Sequence, residues 1–260
     1  MRLLTILLML CFAGTATAQT AQERTQLDRA LQRGRLIFEL DRAAWVTTDD
    51  VRQRLPSDDR GAVRGWTVER DGGGYAVTYY AGEGDARAAV YRGRVENRRV
   101  VSREVFPANA RPPLTAVQRR LADARRAVRL MNQRPCTNAP FNTVVIPPET
   151  AGGPAEVYAL TSQTDSNSYP FGGHFLGTIS TTGELLSRRA FTRACLNMLP
   201  QPPRGSQPAG LIVSHLLDPT PTEIHVFMSI WMGLPVYVLT GDRTWEVTGD
   251  GIRLIERSSR

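Results

Sequence analysis

The sequence contains no lysine, and all 32 of its basic side chains are arginine. A surface selected for positive charge would be expected to use both residues, so the absence of lysine points first to a GC-rich coding bias. The high pI of about 9.9 is therefore a weak argument for binding nucleic acid, and we expect no nucleic-acid partner. The basicity belongs to the first half: residues 19–134 hold 23 arginines against 15 acidic residues, and residues 135–260 hold 8 against 10.

An apolar run long enough to cross a bilayer is also missing, since a span needs roughly 20 residues. The longest run lies at the N-terminus, where Arg2 precedes about ten mostly apolar residues (3–12), the length of a signal-peptide core. Ala16 and Ala18 then fit a small-x-small cleavage site, and we predict a signal peptide over residues 1–18. The mature chain is expected in the periplasm of a bacterium or secreted, with no transmembrane segment.

Cysteine is scarce, with three in the whole chain. Cys11 lies in the predicted signal peptide, which leaves Cys136 and Cys195 in the mature protein. Two thiols in an exported chain usually pair, so we predict a disulfide bond between them. Neither cysteine belongs to a C-x-x-C motif, which argues against a redox or zinc role.

The remaining pattern predicts an α+β protein, with antiparallel β-sheets in two regions and three or four helices packed on them. We expect an Arg-rich N-terminal region over residues 19–134 and a disulfide-linked, β-rich region over residues 135–260. In the first region the predicted elements are a helix at 22–32, a segment of undecided type at 35–45, a short helix starting near Thr48, hairpins at 66–80 and 86–105, and a helix from Thr115.

The helix from Thr115 has the clearest signature, because Thr115 and Gln118 fit a capping box. Its apolar stripe comprises Leu114, Val117, Leu121, Ala124, Val128 and Met131, at helical spacing. Its other side carries Arg119, Arg120, Arg125, Arg126 and Arg129. We interpret this side as a solvated charged face; the alternative is a basic surface for an anionic polymer or lipid.

The second region is predicted to contain a strand at 155–163, a hairpin at 174–191, a proline-rich loop, an apolar strand at 211–216, a hairpin at 235–247 and a last strand at 252–255. Residues 220–233 alternate like a strand but carry helix boundaries. Thr220 is placed at the N-cap, Glu223 at the third helical position and Gly233 just past the end, which predicts a helix.

The chain has three histidines, His174, His215 and His225, all in the second region. With Glu223 they are the weak catalytic candidates, because three imidazoles and a carboxylate could hold a zinc ion with an open position for water. The spacing matches no H-E-x-x-H pattern, and residues 223 and 225 would point apart on a helix. We therefore predict no metal ligand and no cofactor.

Other catalytic templates fail as well. There is no G-x-S-x-G elbow, and the glycine-rich stretches at 72–74 and 172–173 fit neither a phosphate loop nor a dinucleotide fingerprint. The leading prediction is a non-enzymatic, envelope-associated binding or interaction module, whose partner is an envelope protein or an anionic envelope polymer. The alternatives are a metal-dependent or histidine-using hydrolase centred on His174, His215 and His225, and a binder of an anionic envelope polymer through the arginines of the first region.

Overall fold

A computed structural model describes residues 20–148, 150, 152–199 and 208–255. These residues confirm the α+β class. The α-helices are α1 Ala21–Arg54, α2 Ser57–Ala62, α3 Ala116–Arg126 and α4 Glu223–Met232. The strands are β1 Val63–Asp71, β2 Gly74–Ala81, β3 Ala88–Glu96, β4 Arg99–Val105, β5 Asn142–Ile146, β6 Ala155–Leu160, β7 Tyr169–Pro170, β8 Phe175–Ile179, β9 Leu185–Ala190, β10 Asn197–Met198, β11 Leu211–Ser214, β12 Val236–Thr240, β13 Arg243–Val247 and β14 Ile252–Ile255.

Three four-stranded sheets are formed. Sheet 1 has the order β1-β2-β3-β4, sheet 2 has β5-β6-β8-β9, and sheet 3 has β11-β12-β13-β14; β7 and β10 form a separate pair. All strand pairs are antiparallel except β11 with β12, which are parallel. The reason is that α4 connects these two strands, and a helical crossover returns the chain in the parallel direction.

Helix α1 is a single element of 34 residues, where the sequence predicted a short helix, an undecided segment and a second helix. It begins after Thr20, whose side chain accepts a hydrogen bond from the Glu23 N–H at 3.1 Å. The prediction that a second helix starts near Thr48 is wrong. The Thr48 hydroxyl does not cap a new helix, because it donates to the carbonyl of Ala44, one turn earlier in α1, at 2.8 Å. The helix ends at Arg54, before Pro56, as predicted.

Helix α1 takes part in two hydrophobic cores. Its C-terminal half packs on sheet 1, with Ala43 and Val51 buried in one cluster with strand residues of that sheet. Its N-terminal half places Leu27 and Phe38 in a second cluster with residues of α4 and of sheets 2 and 3. The predicted division of the chain at residue 134 stays a prediction, although α1 belongs to both clusters.

Two predicted helix starts have different outcomes. The capping box of Thr115 and Gln118 is confirmed at the start of α3, but Val117 is 55% exposed and does not belong to the buried stripe. The residue 220–233 segment is a helix with Gly233 left-handed at its C-cap, as predicted. Its start is two residues later than predicted: Thr222 is the N-cap and His225 completes the capping box, which leaves Glu223 free of that role.

The predicted disulfide between Cys136 and Cys195 is present. Strand β5, which the sequence reading missed, forms the edge of sheet 2. The predicted signal peptide lies outside the described residues. Within the described part of the chain, no helix has the length and apolar character needed to cross a membrane.

Candidate binding groove

The histidines predicted as weak catalytic candidates are all buried, with exposures of 1% for His174, 4% for His215 and 5% for His225. The fold brings His215 and His225 together, with ring centroids 4.7 Å apart in an edge-to-face arrangement. Their proximity arises because β11 ends at Ser214 and α4 begins nine residues later, which folds the intervening loop back onto the sheet.

His174 is fully engaged by the backbone. Its Nδ1 accepts a hydrogen bond from the Thr161 N–H at 3.2 Å, and its Nε2 lies 2.7 Å from the Pro170 carbonyl. Because a carbonyl only accepts, Nε2 carries the proton and the ring is the neutral tautomer. Burial lowers the pKa of His174 to about 4, so the ring stays neutral at physiological pH.

His225 and His215 also serve local structure. His225 Nδ1 accepts from the Thr222 N–H at 3.0 Å, and burial lowers its pKa to about 3. His215 Nε2 lies 2.8 Å from an Asp218 carboxylate oxygen, to which Arg189 also donates at 2.7 Å. These contacts fix the loop before α4.

The predicted acidic candidate, Glu223, points elsewhere. Its carboxylate accepts a hydrogen bond from the Tyr158 hydroxyl at 3.0 Å and lines a polar pocket that none of the three imidazoles lines. Among the described residues, no group of three or more histidine, cysteine, aspartate or glutamate side chains is placed to hold a metal ion. All three imidazoles are buried and hydrogen-bonded within the protein.

A large open groove lies along α1. It has a volume of about 1080 Å³ and runs between α1, the first two strands of sheet 1, α3 and the end of β5. Its apolar lining includes Leu36, Tyr75, Val117, Ile146, Pro147 and Pro148. Val117 is exposed because it faces this groove, which accounts for its departure from the buried stripe of α3.

Four arginines line the groove: Arg29, Arg33, Arg35, Arg70. Arg35 is held by the carbonyls of Gly249 at 2.6 Å and Asp250 at 3.0 Å. Arg70 contacts the Tyr75 ring, 5.9 Å from its centroid, and forms no ion pair with any carboxylate of the described residues. Its guanidinium donors therefore remain available to a ligand.

The two carboxylates of the groove are already partnered. Glu39 lies 3.0 Å from a guanidinium nitrogen of Arg98, and Glu69 accepts from the Gln118 side-chain amide at 2.8 Å. Four arginines against two carboxylates leave the groove lining with an excess of positive charge.

One arginine of α3, whose charged side was interpreted as solvated, packs against other elements. Arg125 is not solvated: its guanidinium lies 3.2 Å from the centroid of the Trp66 ring and donates to the Thr143 carbonyl at 3.2 Å. Burial lowers its pKa to about 10, which leaves it charged. The solvated-face interpretation is thus wrong for Arg125, because this part of α3 packs between sheets 1 and 2.

Comparison of the chain with protein-family models, curated proteins and solved structures finds no match.

Proposed function

We propose that this protein is an exported, non-enzymatic binding protein whose groove takes an amphipathic anion. The observation that carries the proposal is the groove itself, with arginines beside an apolar lining in an open volume of about 1080 Å³. Ligand sites of about 300–1,000 Å³ lined mainly by apolar groups, with a few charged groups that fix orientation, are typical of small-molecule binding.

The charged part of the ligand is assigned to Arg70 and Arg35. Arginine presents a planar set of donors that matches a carboxylate, phosphate or sulfate group, and such charge-assisted hydrogen bonds are the stronger ones. Arg35 is oriented by two backbone carbonyls, which reduces the conformational entropy lost on binding. The apolar part of the ligand is assigned to Val117 and Tyr75, which border the same volume.

The setting of this activity is the bacterial envelope or the extracellular medium. The signal-type N-terminus predicts export, and a disulfide between Cys136 and Cys195 is the kind of bond that persists in an oxidising compartment. An envelope component that carries both an anionic group and an apolar or ring-shaped part fits the groove.

A second candidate is a linear anionic polymer of the envelope. A neighbouring depression of about 500 Å³ shares Glu39 and Tyr75 with the groove and continues to Ala43 on α1. From Arg29 to Ala43 the helix extends about 21 Å at 1.5 Å per residue, which is long enough for several units of a polymer. This continuity favours an elongated ligand.

The proposal is tested with dodecanoate carrying a fluorescent tag and with its methyl ester, using protein that starts at residue 19. We expect saturable binding of the anion and clearly weaker binding of the ester. Arg70→Gln should weaken anion binding about tenfold, the loss of one charge-assisted hydrogen bond of roughly 1.5 kcal/mol. Arg99→Gln removes the same charge from exposed β4 and should leave binding unchanged.

Dextran sulfate and neutral dextran are the second pair of probes. Polymer binding that weakens steeply as salt rises, with no saturable binding of the tagged dodecanoate, would select the second candidate. Equal binding of the dodecanoate anion and its ester, or equal effects of the two arginine substitutions, would contradict an anion site at Arg70.

A further inference from the structure

A second, polar pocket of about 320 Å³ lies beside the N-terminal half of α1, and Arg29 and Arg33 line both this pocket and the large groove. Its floor is sheet 2: Tyr158 on β6, Leu176 on β8 and Arg189 on β9 are successive partners across three strands and so share one face. One wall is α1, and the other is the loop that leads to Glu223 at the first turn of α4.

The pocket is balanced in charge. Three arginines and three carboxylates line it: Arg29, Arg33, Arg189, Glu156, Asp218 and Glu223. The large groove, in contrast, has an excess of arginine. A small cavity that carries both signs of charge complements a ligand that itself carries both signs.

Most of these charges are matched within the pocket. Arg33 lies 3.1 Å from Glu156, and Arg189 donates to Asp218 at 2.7 Å. Glu223 is the exception, because it forms no ion pair among the described residues and accepts only the Tyr158 hydroxyl, through one of its two oxygens. A ligand ammonium group would supply the missing cation.

Among the three arginines of the pocket, Arg29 has the longest ion-pair distance. It lies 3.9 Å from Glu156, at the limit of an ion pair, and its side chain is 73% exposed. It stands on the α1 wall, five residues before Gly34, where α1 packs against α4. A ligand carboxylate can therefore be received on the α1 side while an ammonium group meets Glu223.

Tyr158 is the fixed donor between these walls. Burial is the main cause that raises its pKa well above the ordinary value, so the hydroxyl stays protonated and keeps donating to Glu223. This hydrogen bond orients Glu223, whose second oxygen accepts no hydrogen bond from the described residues.

We propose that this polar pocket binds a small zwitterion of the α-amino-acid type, with its ammonium group on Glu223 and its carboxylate on the arginine of the α1 wall. The proposal does not depend on the ligand assigned to the groove, whose proposed anion contacts are Arg70 and Arg35, although Arg29 lines both cavities.

The test uses three probes of similar size: L-alanine, propionate, which lacks the ammonium group, and ethylamine, which lacks the carboxylate. Calorimetry and amide chemical-shift titration are run on isotope-labelled protein that starts at residue 19. We expect saturable binding of L-alanine, at least tenfold weaker binding of both single-charge analogues, and shifts at the amides of Leu176 and Thr222.

Glu223→Gln keeps the acceptor for Tyr158 and removes the charge, so it should fold normally and weaken L-alanine binding about tenfold or more. Glu104→Gln, on exposed β4, is the matched control and should bind like the native protein. Arg70→Gln should also leave L-alanine binding unchanged, which separates this site from the groove.

Three results would overturn the proposal: no shift at Leu176 or Thr222 at millimolar L-alanine, equal binding of the single-charge analogues, or equal effects of Glu223→Gln and Glu104→Gln. Loss of dodecanoate binding with retained L-alanine binding would count against the groove alone.

Discussion

Helices α1 and α4 pack closely together at Gly34, and this contact gives a sharp stability prediction. A Cβ atom added there would lie 2.5 Å from the Val226 Cβ and 2.6 Å from the Glu223 carbonyl oxygen. Non-bonded carbons pack at about 3.5–4.0 Å, so one of the two helices must move by about an ångström. The carbonyl belongs to the backbone of α4 and cannot rotate away as a flexible side chain could.

Two opposing effects set the magnitude for Gly34→Ala. Alanine favours a helix interior over glycine by about 1 kcal/mol, and overpacking a buried contact costs typically 1–3 kcal/mol. Since backbone displacement is required, we expect overpacking to win and the free energy of unfolding to fall by about 1–2 kcal/mol. For a chain of this length the melting temperature then falls by roughly 2–8 °C.

Gly61→Ala is the matched control, because Gly61 lies in the exposed helix α2 and a Cβ there would meet nothing within 4 Å. The helix-propensity gain is then unopposed, and stability should be unchanged or rise by up to about 1 kcal/mol. Urea unfolding followed by circular dichroism measures both variants. If Gly34→Ala is as stable as Gly61→Ala, the close approach of α1 and α4 is refuted.

Two further predictions concern a covalent and an ionisable group. Replacing Cys136 and Cys195 by serine should lower the free energy of unfolding by roughly 4 kcal/mol, because the bridge closes a sequence separation of 59 residues; unchanged urea unfolding, or two free thiols in non-reducing mass mapping, would contradict the bridge. Asp41 accepts from the Asn142 side-chain amide, yet burial raises its pKa from 3.8 to about 6, so the fold disfavours its ionised form. Its contribution to stability is present below about pH 4 and is lost as pH rises to about 6, by up to about 3 kcal/mol. Asp41→Asn should remove this loss, seen as a difference in pH dependence between variant and native protein; identical pH profiles would show that Asp41 is solvated.

Local sequence chemistry predicted much of the fold. The capping box at Thr115 and the turns of the hairpins in sheet 1 depend on neighbouring residues, and they formed where the sequence placed them. The disulfide followed from elimination, because Cys136 and Cys195 are the two mature cysteines. Helix α4 was predicted from the residues at its two ends, although its N-cap is Thr222 rather than Thr220.

What the sequence did not predict depends on tertiary contacts. Glycine is unfavourable inside a helix, so the sequence of α1 alone does not explain Gly34. The explanation is a tertiary contact, because Val226 of α4 occupies the space that a side chain at position 34 would fill. Val117 fits the apolar stripe of α3 by spacing, but the neighbouring elements leave its position open to the groove. The groove arginines come from α1 and β1, far apart along the chain, so the charge pattern of α3 alone could not indicate them.

The most direct test of the central claim is to locate where an amphipathic anion binds. Titrating isotope-labelled protein with dodecanoate, below its aggregation concentration, should shift the amides of Leu36, Tyr75 and Val117 most, and Arg70→Gln should reduce those shifts at equal ligand. Shifts centred on His215 and His225 instead, or none in the groove at saturating ligand, would contradict the account.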